Sequence, residues 1–149
     1  MSNGKLLFEY QNEILAWKID LKTQNEPGLT FYSNPDDFIQ VGLWNHPVDS
    51  VLNSHIHNIH SKKSDRTSEA LFVLSGSIHA DIYNDECKLL ESTIVTAGEL
   101  LVCIAGGHGY RILSENTKVL EIKNGPYPGP EIDRSPFPTQ CSFCKNEQR

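Results

Sequence analysis

Apolar and polar positions alternate along most of the chain in short runs, with almost no 3.6-residue helical period. Turn residues break these runs every eight to twelve positions or so, the pattern of a sandwich or barrel. Residues 6–10 and 14–19 predict two strands, parted by Gln11, Asn12 and Glu13. Stretches 23–28 and 33–37 read as loops, because Asn, Pro, Gly and Asp favour turns. A strand over 38–44 is closed by Asn45, His46 and Pro47, and another is predicted over 51–59. Runs 69–74 and 78–83, joined at Ser75 and Gly76, read as a hairpin. Further strands are predicted over 88–95, 100–104, 108–113 and 119–123. From Gly125 onward Pro126, Pro128, Pro130, Pro136 and Pro138 exclude a central strand and predict an extended arm over the body. The pattern gives an all-β chain.

A length of 149 residues suits a single domain with its own core. Thirteen Lys and Arg against 19 Asp and Glu leave a formal charge of −6, which argues against nucleic acid and anionic membrane as partners. The longest apolar run, 100–105, is far short of a membrane span. Residues 1–10 hold one Lys and no apolar core of a secretory signal, so a cytoplasmic location is expected. There the four cysteines should be thiols. Cys141 and Cys144 form a lone C-x-x-C in the Pro-rich tail, without the second pair that a zinc ribbon needs. Cys87 and Cys103 read as small hydrophobes in apolar stretches.

Six histidines matter more for where they fall. Residues two apart on a strand share a face, so His55 and His57 would stand side by side with Val51, Asn53 and Ile59. Val51 and Ile59 argue that this face turns inward, which makes the two imidazoles candidate metal ligands. His60 opens the polar stretch 60–68 and reads as a solvated loop residue; His46 and His79 read as surface or turn residues. Glu69 shares a face with Leu71 and Val73 in one parity. Its carboxylate then needs a compensating partner, either a metal or, at the strand end, Arg66 and solvent. His108 follows Gly106 and Gly107, which allow a sharp turn and a close backbone approach, and Tyr110 shares its face while Arg111 does not.

Together these pieces resemble the two motifs of the cupin superfamily. In the first, His55 and His57 supply His-x-His, and Glu69 is followed after six residues by Gly76. In the second, Gly98 is followed by five residues and then by Ile104, Ala105, Gly106, Gly107 and His108. Asp49 stands where the first-motif Gly belongs, eleven residues part His57 from Glu69, and Ile104 replaces the second-motif Pro. The stretch from Thr67 to Gly76, the GGHGY run ending at Tyr110, and the segment from Val119 to Tyr127 are similar to a subset of small bacterial cupins.

The resemblance implies a double-stranded β-helix (cupin, or jelly-roll) barrel in one domain, 1–149. N-terminal strands would fall at 5–20, the barrel core at 36–124 and a Pro-rich arm at 125–149. It implies His55, His57, Glu69 and His108 as ligands of Zn²⁺, Fe²⁺, Mn²⁺ or Ni²⁺, among which the donor set does not choose. Tyr110 and Tyr127 are the candidate contacts to a small-molecule, oxygen-bearing, sugar-like substrate. Isomerase-like Lewis-acid chemistry, with a hint of polysaccharide biosynthesis, is the expected activity. Non-catalytic sensing of a small ligand and iron-dependent dioxygenation are the alternatives, since one fold hosts all three. A homodimer paired through the 6–19 region is also expected.

Overall fold

The run Glu13–Asp20 is apolar on both of its faces, and this is explained by its place in the structure. In the computed structural model, which describes residues 4–137, it is an inner strand of the largest sheet and is covered from both sides. The strands are β1 (Leu6–Tyr10), β2 (Glu13–Asp20), β3 (Gly28–Phe31), β4 (Gly42–Asn45) and β5 (Glu69–Ser75). They continue with β6 (Ser77–Tyr83), β7 (Leu89–Thr96), β8 (Glu99–Cys103), β9 (Gly107–Ile112) and β10 (Lys118–Lys123). A 3₁₀ turn at Leu21–Thr23 and one helical turn at Pro130–Asp133 (α1) are the only helical pieces among the described residues. The protein is all-β.

Three antiparallel sheets form, in the orders β1-β2-β8-β5-β10, β7-β6-β9 and β3-β4. The first two face each other. Phe8, Leu15, Ala16, Val73, Leu101 and Cys103 of the larger sheet meet Ile78, Ala80, Ile82 and Val95 of the smaller one. The larger sheet's other face buries Trp17, Ile19, Ala70, Leu100 and Val102 beneath Tyr32, Ile39, Val41 and Leu43, from the β3–β4 ribbon and its connection. Each fully buried side chain of this size contributes on the order of 1.5–3 kcal/mol relative to exposure. The described residues form no closed barrel.

Three expectations need correction. The strand expected over 38–44 is confined to Gly42–Asn45, the stretch that pairs with β3. The runs around Ser75 and Gly76 do not pair as a hairpin, because β5 and β6 belong to opposite sheets. Gly76, at φ +75°, carries the chain across the gap, and its carbonyl accepts a hydrogen bond from the Ala97 amide. The remaining correction is the strand over 51–59. Residues 46–68 lie outside any sheet, and Val51, Ile56 and Ile59 are exposed, Ile59 fully. A strand persists only where a neighbour accepts its backbone hydrogen bonds, and this stretch has none.

The Pro-rich arm does return to the body. Phe137 packs edge-on against Tyr83 with ring centroids 4.8 Å apart, and Asp133 accepts a 2.7 Å hydrogen bond from Thr67. Residues 138–149, and with them Cys141 and Cys144, lie outside the described residues. Among those described, no helix is long and apolar enough to cross a membrane.

Candidate functional site

Strand parity decides which side chains enter the space between the two facing sheets. In β5, Glu69 sits opposite Cys103 of β8, two residues before Leu71, which sits opposite Leu101. In β9, His108 and Tyr110 stand opposite Ile82 and Ala80, the inward residues of β6, while Arg111 stands opposite the outward His79. In β10, Glu121 and Lys123 pair with Leu71 and Glu69. Five polar side chains and one thiol therefore converge between the two facing sheets, from β5, β8, β9 and β10.

The centre of this cluster is Glu69, whose carboxylate has a cation at each oxygen. His108 Nε2 is 3.1 Å from Oε2, and Lys123 Nζ donates to Oε1 at 2.9 Å. Lys123 Nζ also meets Glu121 Oε1 at 2.8 Å and lies 5.4 Å from the Tyr127 ring centroid. The Tyr110 ring stacks on His108 at 5.2 Å, and its hydroxyl shares a 3.4 Å hydrogen bond with Cys103 Sγ. Cys103 is a buried free thiol. Gly106 makes the approach possible: at φ +67° it passes so near β6 that an added Cβ would lie 2.3 Å from the Tyr83 carbonyl oxygen.

Proximity retunes these groups. The hydrogen bond from His108, helped by Lys123 against the cost of burial, holds the Glu69 carboxyl down at about 2. Burial opposes a charge on His108, yet the Cys103 and Glu69 hydrogen bonds outweigh it and lift the imidazole to about 10. Burial, then Cys103, pushes the Tyr110 hydroxyl well above the usual phenol range, so it stays protonated. Hydrogen bonds to Glu121 and Glu69 raise Lys123 above an ordinary lysine.

Glu69, His108, Tyr110 and Tyr127 are thus brought together, directly or through Lys123. His55 and His57 are not. They stand on the exposed 46–68 segment, their rings 4.9 Å apart and edge-to-face, with His55 Nδ1 3.1 Å from the Asn53 carbonyl oxygen. Their face is not turned inward, as Val51 and Ile59 had suggested; both residues are exposed there. His60 is an exposed loop residue, as expected, and Arg66 pairs with Glu13 rather than with Glu69. Among the described residues no three His, Cys, Asp or Glu side chains form a ready metal-holding group. Cys103, Glu121 and Lys123 escaped the sequence reading, although alternation in 119–123 already sets Val119, Glu121 and Lys123 on one face.

An open groove of about 350 Å³ lies outside the cluster, between the 36–38 loop and segment 63–68. Asp36, Asp37 and Asp65 line it with Lys63 and Arg66, so its charges nearly balance, and no imidazole enters it. The inter-sheet cluster is the better candidate because its groups are strongly perturbed and mutually bonded. Fold and site define the class: an antiparallel all-β protein with a largely buried carboxylate–imidazole pair between two facing sheets. Comparison with family models, with curated proteins and with solved structures returned no match.

Proposed function

We propose that this chain is a metal-binding protein of the cupin type, in which Glu69 and His108 hold a divalent ion for a small oxygen-bearing ligand. The observation that carries this reading is the 3.1 Å separation of His108 Nε2 and Glu69 Oε2. That is the distance of a hydrogen-bonded ion pair; two ligands roughly 2.0–2.2 Å from one ion also stand about 3 Å apart, so the two atoms would accept an ion between them once His108 gives up its proton. An imidazole nitrogen with a carboxylate oxygen suits Zn²⁺, Fe²⁺, Mn²⁺ or Ni²⁺. In this reading His55 and His57 complete the set. The exposed segment that carries them would dock on β9, an edge strand of its sheet with an unpaired side.

When bound, the ion supplies Lewis-acid polarisation of a ligand oxygen, the chemistry that sugar isomerisation needs. The chain's own residues would do the rest. Tyr110, kept protonated beside Cys103 and stacked on His108, offers a hydroxyl. Tyr127, beneath Lys123, offers an aromatic face to a sugar-like ring. The double-stranded β-helix belongs to the same proposal and is supported by the way β5, β6, β7, β8, β9 and β10 pass between two facing sheets. So does pairing of two copies along β1, the outer strand of the larger sheet, which size-exclusion mass tests.

The deciding experiment is elemental analysis of protein purified without chelator. One ion per chain is expected, lost in His108→Ala and Glu69→Gln and weakened in a His55→Ala/His57→Ala double variant. Metal-free protein that takes up none of the four ions, or full occupancy in His108→Ala, sinks the reading. A thermal-shift screen of loaded protein against sugars then separates turnover from simple binding.

A further inference from the structure

Where the β1–β2 turn approaches the turn that joins β6 to β7, a cavity of about 290 Å³ opens beside Tyr10, Leu15 and Asn84. Asn84 is 2% exposed and tied into its turn. Its Oδ1 accepts from the Glu86 and Lys88 amides at 3.0 and 2.9 Å, and its backbone amide donates to the Lys88 carbonyl at 3.1 Å. These bonds fix which end of the side chain is oxygen. They leave Nδ2, which carries two hydrogens to donate, without a partner. A buried orphan donor costs on the order of 1–3 kcal/mol, and one on a cavity wall has a side from which a partner can come.

The rest of the wall is acidic. Glu13, Asp85 and Glu86 bring three negative charges, of which Arg66 offsets the one on Glu13 by pairing with it. Among the described residues neither Asp85 nor Glu86 forms an ion pair. The carboxylates do not converge into a metal-holding group, so a single bare ion does not satisfy them. The occupant has to reach from carboxylate to amide, and the volume, at the low end for ligand cavities, limits it to about one sugar ring. An ammonium on a carboxylate makes the stronger, charge-assisted kind of hydrogen bond. Asn84 Nδ2 calls instead for an oxygen. So does the Tyr10 hydroxyl, which accepts from Gln11 Nε2 at 3.1 Å and keeps its own hydrogen to donate. We propose that this cavity binds a small organic cation that also carries oxygen acceptors, of the amino-alcohol or amino-sugar class. Asp85 and Glu86 hold its ammonium, and Asn84 Nδ2 donates to its oxygen. None of these residues is a ligand in the metal reading.

The test is a titration of the ¹⁵N-labelled full chain followed by amide NMR, at fixed salt and at a pH where amines are protonated. Glucosamine, which joins an ammonium to ring hydroxyls, should saturably shift the Asn84 side-chain NH₂ signals and the backbone amides of Asp85 and Glu86. N-acetylglucosamine, with hydroxyls but no charge, and methylammonium, with charge but no oxygen, should each bind at least tenfold more weakly. An Asp85→Asn/Glu86→Gln variant, altered only at two exposed positions, should lose glucosamine affinity at least fivefold while its spectrum elsewhere stays native. Glu115→Gln, in the turn beside Ser77 at the far end of β6, should bind as the native protein does. An Asn84 side chain that glucosamine leaves unmoved, equal binding of either control compound, or full affinity in the double variant overturns the inference. Each of these outcomes leaves the metal reading standing, because the signal is read at Asn84 and not at Glu69.

Discussion

Glu69 and His108 belong to strands of different sheets, yet Glu69 Oε2 and His108 Nε2 stand 3.1 Å apart across the gap between them. The pair ties the two sheets together beside Cys103, a member of the hydrophobic core between them. Removing the Glu69 carboxylate deprives both His108 and Lys123 of their shared partner, whereas removing His108 leaves Glu69 still paired with Lys123.

In chelator-treated protein, His108→Ala should lower stability by about 1–2 kcal/mol, below the range for fully buried pairs because the imidazole keeps some solvent contact and Lys123 still pairs with Glu69. Urea melts of Glu69→Gln, His108→Ala and the double variant measure the coupling. A coupling energy near zero contradicts the direct pairing.

The same pair sets a pH window. Glu69 titrates at about 2 in the folded protein, below its ordinary 4.5, so its contribution is complete above about pH 5 and fades as pH falls through 2. His108 titrates at about 10, above its ordinary 6.5, so its contribution is complete below 6.5 and is lost as pH rises through 10. The two shifts share the His108–Glu69 hydrogen bond, which counts once; Cys103 adds to the His108 shift and Lys123 to that of Glu69. The stability difference between native and Glu69→Gln, metal-free, should therefore be widest near pH 5–6.5 and narrow on either side. Denaturation midpoints across pH 3–10 check it, and a difference that grows toward pH 10 would contradict it.

Gly106→Ala should cost about 2–4 kcal/mol, because its φ of +67° is strained for any Cβ and the methyl would meet the Tyr83 carbonyl at 2.3 Å. Gly109→Ala is the control. Its Cβ would meet only Tyr83 Cε2 at 3.8 Å, and a change under about 1 kcal/mol is expected. Thermal melts of the two side by side decide whether the turn before His108 is as tight as described.

Trp17 is fully buried, and its Nε1 has no hydrogen-bond partner. Trp17→Phe gives up packing area but also removes that orphaned donor, so its loss should stay below about 2 kcal/mol. Trp17→Ala should lose about 3–5 kcal/mol through the cavity it leaves. A Trp17→Phe loss well above 2 kcal/mol would show that the indole donor has a partner.

Much of this was legible along the chain. Alternation located the strands over 69–74, 78–83 and 119–123 to within a residue or two, since each has a sheet neighbour that rewards the pattern. It also set Glu69 with Leu71 and Val73, and Tyr110 with His108, because side-chain parity is a property of a single strand. The stretch 51–59 shows the limit. It has strand-like residues, but apolar side chains fall on both parities, and no neighbour pairs with it, so Val51, Ile56 and Ile59 remain exposed.

The chain by itself determined the β character, the turns at Gly76, Gly98 and Gly106, and which residues of each strand share a face, because these follow from local backbone geometry. Tertiary structure alone decided that β5 and β6 lie in opposite sheets, that Lys123 sits on Glu69, and that Cys103 lies beside Tyr110. Those relations join residues seven to 54 positions apart. They depend on which strand edges find each other, and that is settled by the free energy of the whole packed core rather than by any one segment.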